Sequence, residues 1–140
     1  RKCEYLVAVD VSAAAVSAAK ELLRQTFSDV LLTDRLSPFR NSSFDVAVAN
    51  PPYLPCDYSE EPLWCGGEGG IEFAVSVLRQ ARWSLKPGGS LFVLLSSLSD
   101  VERFLREAAL LGFKAEVVHE EPIGLFEKAC IVRVQRDVKT

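Results

Sequence analysis

The stretch Phe44-Asp45-Val46-Ala47-Val48-Ala49-Asn50-Pro51-Pro52-Tyr53 decides how the rest of the chain is organised. A short apolar, β-branched run broken by two prolines predicts a buried strand ending in a rigid loop. Asn50 then stands at the carboxyl end of a strand, where open α/β sheets take their ligands. Both prolines fix φ near roughly −65° and carry no N–H, so the local carbonyls keep one arrangement. The Asn50 side-chain oxygen and the Pro51 carbonyl become a stiff acceptor pair beside the aromatic face of Tyr53. Such a set suits a planar –NH2 group.

Upstream, Tyr5 to Val9 is a continuous apolar run, as in a strand buried on both faces of a parallel sheet, and it ends at Asp10-Val11-Ser12. Ser12 can cap a helix over Ala13 to Gln25, with Ala15, Val16, Ala19, Leu22 and Leu23 on one stripe. A second strand, Val30-Leu31-Leu32, ends at Thr33-Asp34. Downstream, Leu54 to Gly70 has no periodicity, only Pro55, Pro62 and the cluster Gly66-Gly67-Glu68-Gly69-Gly70. Loops this long inside a compact domain are usually functional or disordered. Ile71, Ala74, Val75, Leu78, Ala81 and Leu85 recur at helical spacing until Lys86-Pro87-Gly88-Gly89 stops them. Ser90 to Leu95 is a further buried strand, and Ser99-Asp100-Val101-Glu102 is a capping box opening a helix that Gly112 ends. Ala115 to His119 and Ala129 to Gln135, with no helix between them, predict an antiparallel hairpin at the sheet edge. The class is α/β with a mainly parallel sheet.

The 140 residues fit one domain, 1–140, and 49% hydrophobic residues are enough for a proper core. A net charge of −3 argues against a global basic surface for nucleic acid or an anionic membrane. No apolar run approaches the ~20 residues of a membrane span, and no signal peptide opens the chain. Cys3, Cys56, Cys65 and Cys130 lack CxxC spacing, so reduced, cytosolic cysteines are the expectation, with a Cys56–Cys65 bridge as the exception a hyperthermophile would allow. One histidine and scattered cysteines give no metal site. The absence of methionine means that Arg1 is not a natural translation start, and the sequence reads as the C-terminal part of a longer protein.

Asp10, Asp34 and Asn50 follow three successive strands. Parallel strands of one sheet put their carboxyl ends on one edge, so the three can converge on a ligand, Asp10 toward ribose hydroxyls and Asp34 toward an adenine amino group. The competing reading is that each aspartate merely caps the next helix or turn. Tyr53 packs either against a planar amide or in the core. His119 is alone and reads as structural. Trp64 anchors its loop or lines a groove, Trp83 packs or meets a partner, and Arg79 and Arg82 form a solvated helix face. The glycine cluster lacks the Lys-Ser/Thr of a phosphate loop.

Asp45 to Pro55, then Glu61, then Gly66-Gly67 through Gly70-Ile71, resembles the HemK family of S-adenosylmethionine-dependent protein-glutamine methyltransferases. Lys86-Pro87-Gly88-Gly89-Ser90 is similar to the turn before a strand in many class I methyltransferases. The tetrapeptide alone is shared with adenine and cytosine amino-methyltransferases; Leu54-Pro55 and the glycine cluster favour the glutamine branch. Leu95-Ser96-Ser97-Leu98, without the acidic residue of bacterial members, is more similar to the short archaeal and eukaryotic branch. The resemblance implies a Rossmann-like class I methyltransferase fold whose first strand and glycine-rich loop are missing from the given sequence. It implies S-adenosylmethionine held by Asp10, Val11, Asp34, Arg35 and Asn50. Asn50, Pro51, Pro52 and Tyr53 are the implied catalytic set, with Leu54 added for the substrate. The implied substrate is a cytoplasmic translation release factor, with a small zinc-binding activator subunit as partner. Two other functions remain open: amino-methylation of DNA or RNA, and a non-catalytic methyltransferase-like binding domain.

Overall fold

The computed structural model describes residues 2–57 and 63–138. In chain order its elements are β1 (Leu6–Asp10), α1 (Ala13–Leu22), β2 (Ser28–Leu32), β3 (Phe44–Ala49), α2 (Glu72–Ser84), β4 (Leu85–Ser96), α3 (Val101–Leu110), β5 (Phe113–Pro122) and β6 (Lys128–Arg136). The chain divides into two compact units, Arg1–Phe39 and Arg40–Thr140.

In the first unit β1 and β2 pair in parallel, in the register Leu6↔Ser28 to Asp10↔Leu32. The α1 helix supplies the crossover and buries Val16. Ser12 caps it as expected, its hydroxyl accepting from the Ala15 N–H at 3.3 Å. The helix stops at Leu22 instead of Gln25. The Leu23 carbonyl is taken by both the N–H (2.8 Å) and the hydroxyl (2.7 Å) of Thr26, which turns the chain into β2. The strand before it starts at Leu6, one residue later than expected, because Tyr5 leaves the ladder, sets its ring edge-on to Phe27 and donates its hydroxyl to Asp29.

The second unit is a four-stranded sheet in the order β3-β4-β6-β5. β3 and β4 are parallel, whereas β6 runs antiparallel to both β4 and β5. The expected C-terminal hairpin is therefore present, longer than its apolar centre, with its second strand lying beside β4. Leu91, Val93 and Leu95 of β4 and Val132 and Val134 of β6 are fully buried, as are Leu78 of α2 and Phe104 of α3. Alternate strand residues thus meet a helical layer on one face.

Three expectations change. Lys86-Pro87-Gly88-Gly89 does not separate helix from strand; β4 starts at Leu85 and carries these four residues as an irregularity, since Phe44 pairs with Leu85 but Val46 with Ser90. Gly88 at φ 78° allows the bend, and a Cβ on Gly89 would lie 3.0 Å from the Asp45 carbonyl. The strands before Asp10, Asp34 and Asn50 are not buried: Leu6 is 40% exposed, Leu32 59%, and Val46 and Val48 56% and 79%. Among the described residues β3 has one ladder partner, β4, so its burial comes from one side. Finally, Asp100 and not Ser99 caps α3, accepting from the Arg103 N–H at 3.0 Å. That leaves the Ser99 hydroxyl for another partner.

No helix among the described residues is long and apolar enough to cross a membrane.

Candidate active site

Asn50, Pro51, Pro52, Tyr53 and Leu54 leave the carboxyl end of β3, as the prolines dictate. Asn50 is exposed and Pro51 buried. No described residue hydrogen-bonds the Asn50 side chain or the Pro51 carbonyl. Both acceptors keep their lone pairs uncommitted among the described residues.

The Tyr53 and Leu54 carbonyls that follow are occupied. Ser99 donates its hydroxyl to the Tyr53 carbonyl at 2.5 Å. Leu54 donates its N–H to Trp64 (3.2 Å) and accepts from Gly66 (2.9 Å), giving a single parallel bridge between Leu54 and Cys65. The glycine cluster explains itself here. A Cβ on Gly66 would come within 2.8 Å of the Pro52 carbonyl oxygen, and one on Gly70 within 2.2 Å of the Tyr53 carbonyl oxygen. Gly70 also sits at φ 69°, which side chains disfavour. Only glycine lets the 66–70 turn lie flat on this backbone. The turn is in turn held by the Asp100 N–H, which donates to the Gly69 carbonyl at 2.7 Å.

The loop after Leu54, expected to lack structure, is thus a braced return. Its first and second legs are joined by a disulfide between Cys56 and Cys65, against the expectation of reduced cysteines. Spacing alone did not favour that pairing; the Leu54–Cys65 bridge brings the two Cα atoms to 5.6 Å, within disulfide range. Glu61 and Pro62 lie outside the described residues.

In the first unit, Asp10 ends β1 and Asp34 follows β2, and the parallel register puts them together: the Thr33 N–H donates to the Asp10 carbonyl at 2.9 Å. One carboxylate oxygen of Asp10 accepts the Ser12 N–H at 2.7 Å, the turn-capping role weighed above. Its second oxygen is left for a ligand hydroxyl, and Val11 is 69% exposed beside it. Asp34 is held from both oxygens by Arg35, with two nitrogen–oxygen distances of 2.6 Å. The guanidinium keeps that carboxyl below the usual carboxylate range, and the pair raises Arg35 in turn. Asp10 therefore fits a ribose hydroxyl directly, whereas Asp34 meets an adenine amino group only with lone pairs that Arg35 does not use. His119 is exposed on β5, 3.7 Å from Glu121, and Trp83 is 57% exposed with Arg82 over its ring at 5.3 Å.

Sequence reasoning missed Ser99 and the packing role of Gly66 and Gly70, and it weighed the Cys56–Cys65 bridge only as an exception. The one signal available was redundancy: Ser99 and Asp100 were two capping residues for one helix start.

A strand-end Asn-Pro-Pro-Tyr carried on an α/β scaffold has matches of two kinds. Residues 1–121 fit the model of the methyltransferase small domain. The chain belongs to that family. Its fold is that of class I methyltransferases, and its cofactor is S-adenosylmethionine. A Methanocaldococcus jannaschii relative, provisionally named a protein N5-glutamine methyltransferase, is 31% identical over 94% of this chain and 70% of its own length. The release factor glutamine methyltransferase of Moorella thermoacetica is 35% identical over 64% of this chain, which spans 37% of that protein. Among solved structures, the Mtq2–Trm112 complex of E. cuniculi, responsible for methylating the eRF1 termination factor, superposes with a TM-score of 0.70. It is 18% identical and is matched over 98% of this chain and 87% of that one. The N-methyltransferase NodS of Bradyrhizobium japonicum with bound S-adenosylhomocysteine gives 0.64 at 17% identity, over 96% of this chain and 67% of that one. The two relatives named as protein-glutamine methyltransferases agree with the family resemblance carried by Asp45 to Ile71.

Proposed function

We propose that this methyltransferase small domain transfers a methyl group to the side-chain amide nitrogen of a glutamine in a protein, a translation release factor. The observation that carries the reading is the pair of acceptors without a partner among the described residues, Asn50 Oδ1 and the Pro51 carbonyl, on a loop whose Tyr53 carbonyl is clamped by Ser99. An amide nitrogen is a weak nucleophile because its lone pair is delocalised into the carbonyl. Two acceptors on its two N–H groups raise electron density on nitrogen and fix its direction. Positioning of this kind contributes several kcal/mol, roughly 7–11 in the best-oriented cases. No general base is required, since the proton can leave after the methyl arrives. Tyr53 and Leu54 flank the amide; Pro51 and Pro52 keep the acceptors from moving.

S-adenosylmethionine, when bound, supplies the methyl group as an electrophilic sulfonium. Asp10, with its uncommitted oxygen, holds a ribose hydroxyl; Val11, Asp34 and Arg35 line the same strand-end edge of β1 and β2. Relatives of the Mtq2 kind support a small activator subunit, zinc-binding by resemblance, as partner, and a cytoplasmic location alongside translation factors.

The test uses the full-length protein with labelled S-adenosylmethionine, a release factor and duplex DNA. Label on a glutamine of the factor is expected. Label on DNA alone would replace this reading with amino-methylation of a base, and no transfer to either would leave a binding domain. Asn50→Ala should lower transfer roughly a thousandfold, as loss of a group that orients the reacting atom does, with cofactor affinity nearly intact. Asp10→Ala should weaken cofactor binding instead.

A further inference from the structure

The turn joining β5 to β6 is closed by the Ile123 N–H donating to the Glu127 carbonyl at 3.0 Å. Turns normally carry small or polar residues. This one presents Leu125 and Phe126 at 94% and 92% exposure, with Ile123 at 51%. Leu98, in the turn after β4, is 53% exposed. Isolated exposed apolar residues are ordinary, but several large ones on neighbouring turns form a patch of the kind that meets another protein.

Its position is set by the sheet. Ser96 at the end of β4 pairs with Ala129 at the start of β6, and Ala49 at the end of β3 pairs with Val93. The hairpin turn and the acceptor loop therefore leave the same edge of one sheet, two to three strand spacings apart, or roughly 10–15 Å. They are also tied together by hydrogen bonds. Ser99 Oγ donates to the Tyr53 carbonyl and accepts the Ser96 N–H at 3.3 Å. Ser96 Oγ donates to Glu127 Oε1 at 2.6 Å, and the Leu98 N–H donates to Ser96 Oγ at 3.1 Å. Ser97 and Lys128 exchange two more bonds, at 2.8 and 2.9 Å. A chain of three polar links thus holds the apolar turn at a fixed place relative to Tyr53. Rigid presentation lowers the ordering cost of binding.

Resting on the protein-acceptor reading above, we propose that Leu98, Ile123, Leu125 and Phe126 form the docking surface for the body of the substrate protein, beside the loop that takes its glutamine. Charge selects the kind of segment it receives. Glu120, Glu121 and Glu127 flank the turn; Lys128 lies 3.8 Å from Glu120 and His119 3.7 Å from Glu121, so three carboxylates stand against one lysine and one imidazole. A segment with apolar side chains and basic neighbours is complementary. A second copy of this chain is not, because a two-fold contact would set one acidic turn against another.

The experiment compares the full-length enzyme with a Leu125→Ser/Phe126→Ser double variant, using the organism's own release factor as acceptor. Both side chains are already in water, so the variant should melt with the wild type. The KM for the release factor should rise about tenfold or more, while kcat changes less than about twofold. Glu121→Lys should raise the same KM by a smaller factor that added salt removes. If the wild type methylates the factor and the double variant shows an unchanged KM, the docking surface is wrong and the proposed function stands. If the wild type methylates no glutamine of the factor, both fall. Loss of activator-subunit association with an unchanged acceptor KM would reassign the patch to that partner, and a smaller sedimenting mass of the variant would reassign it to self-association; either overturns the proposal.

Discussion

Ser99 Oγ lies 2.5 Å from the Tyr53 carbonyl oxygen, 46 residues away in sequence. Ser99 is buried, and its bond is what turns the peptide after Pro52 into a fixed element. Replacing Ser99 by alanine leaves that carbonyl without its side-chain donor, at a cost of about 1–3 kcal/mol. Turnover should fall about tenfold as the acceptor pair loses its setting, with cofactor affinity unchanged. Single-turnover rates and cofactor titration, read beside chemical denaturation, check this; full activity with normal folding would remove Ser99 from the site.

Gly70→Ala and Gly112→Ala make a matched pair. Both glycines have positive φ, 69° and 83°, but only at Gly70 would the new Cβ strike backbone, 2.2 Å from the Tyr53 oxygen; at Gly112 nothing lies within 4 Å. Gly112→Ala should cost about 1 kcal/mol from the backbone conformation alone. Gly70→Ala should cost several times more and reduce methyl transfer. Equal losses in urea denaturation would show that the 66–70 turn is not pressed on the acceptor loop.

Cys56 and Cys65 close a loop of sequence separation 9. Chain entropy assigns such a closure about 2–3 kcal/mol. Reductant, or the Cys56→Ser/Cys65→Ser variant, should lower the melting temperature by roughly 5–10 °C for a chain of this size. Calorimetry with and without a thiol reagent measures it. An identical midpoint would mean that the braced return holds without the bridge.

The Asp34–Arg35 pair predicts a pH response confined to acid. Arg35 depresses the Asp34 carboxyl, so the folded value lies below the unfolded one. The pair's contribution is complete above the unfolded value and is lost as pH falls through the folded value. It is small, since the Asp34 side chain is 52% exposed. Between about pH 6 and 9 it should not move stability. A carboxyl NMR titration should show the Asp34 midpoint shifting up toward the ordinary range in Arg35→Ala; an unmoved midpoint would dissolve the pair.

Much of this was legible from local pattern. Apolar runs and helical spacing located the strands and α-helices, most of them to within about three residues, although β4 begins at Leu85 and not at Ser90. The proline pair located the acceptor loop, since two fixed φ angles end a strand wherever they fall. What stayed hidden depends on residues that meet only after folding. Ser99 was assigned to a helix cap that Asp100 fills, and its real partner is in another element. The glycine cluster was read as part of an aperiodic loop without a phosphate-loop lysine, whereas Gly66 and Gly70 give clearance for a neighbouring backbone. Lys86 to Gly89 carried the composition of a loop but was absorbed into β4, because pairing with β3 could resume beyond it.

The placement of β6 between β4 and β5 has a consequence for how the polypeptide matures on the ribosome. β5 is synthesised before the strand it pairs with, and one side of β4 stays open until Lys128–Arg136 has emerged. Leu91, Val93 and Leu95 thus lack the β6 neighbours Val134, Val132 and Cys130 while the elements before that strand are already made. Loss of Lys128–Arg136 should therefore yield aggregates and no working enzyme, because the β4 edge would stay open as a template for strand pairing.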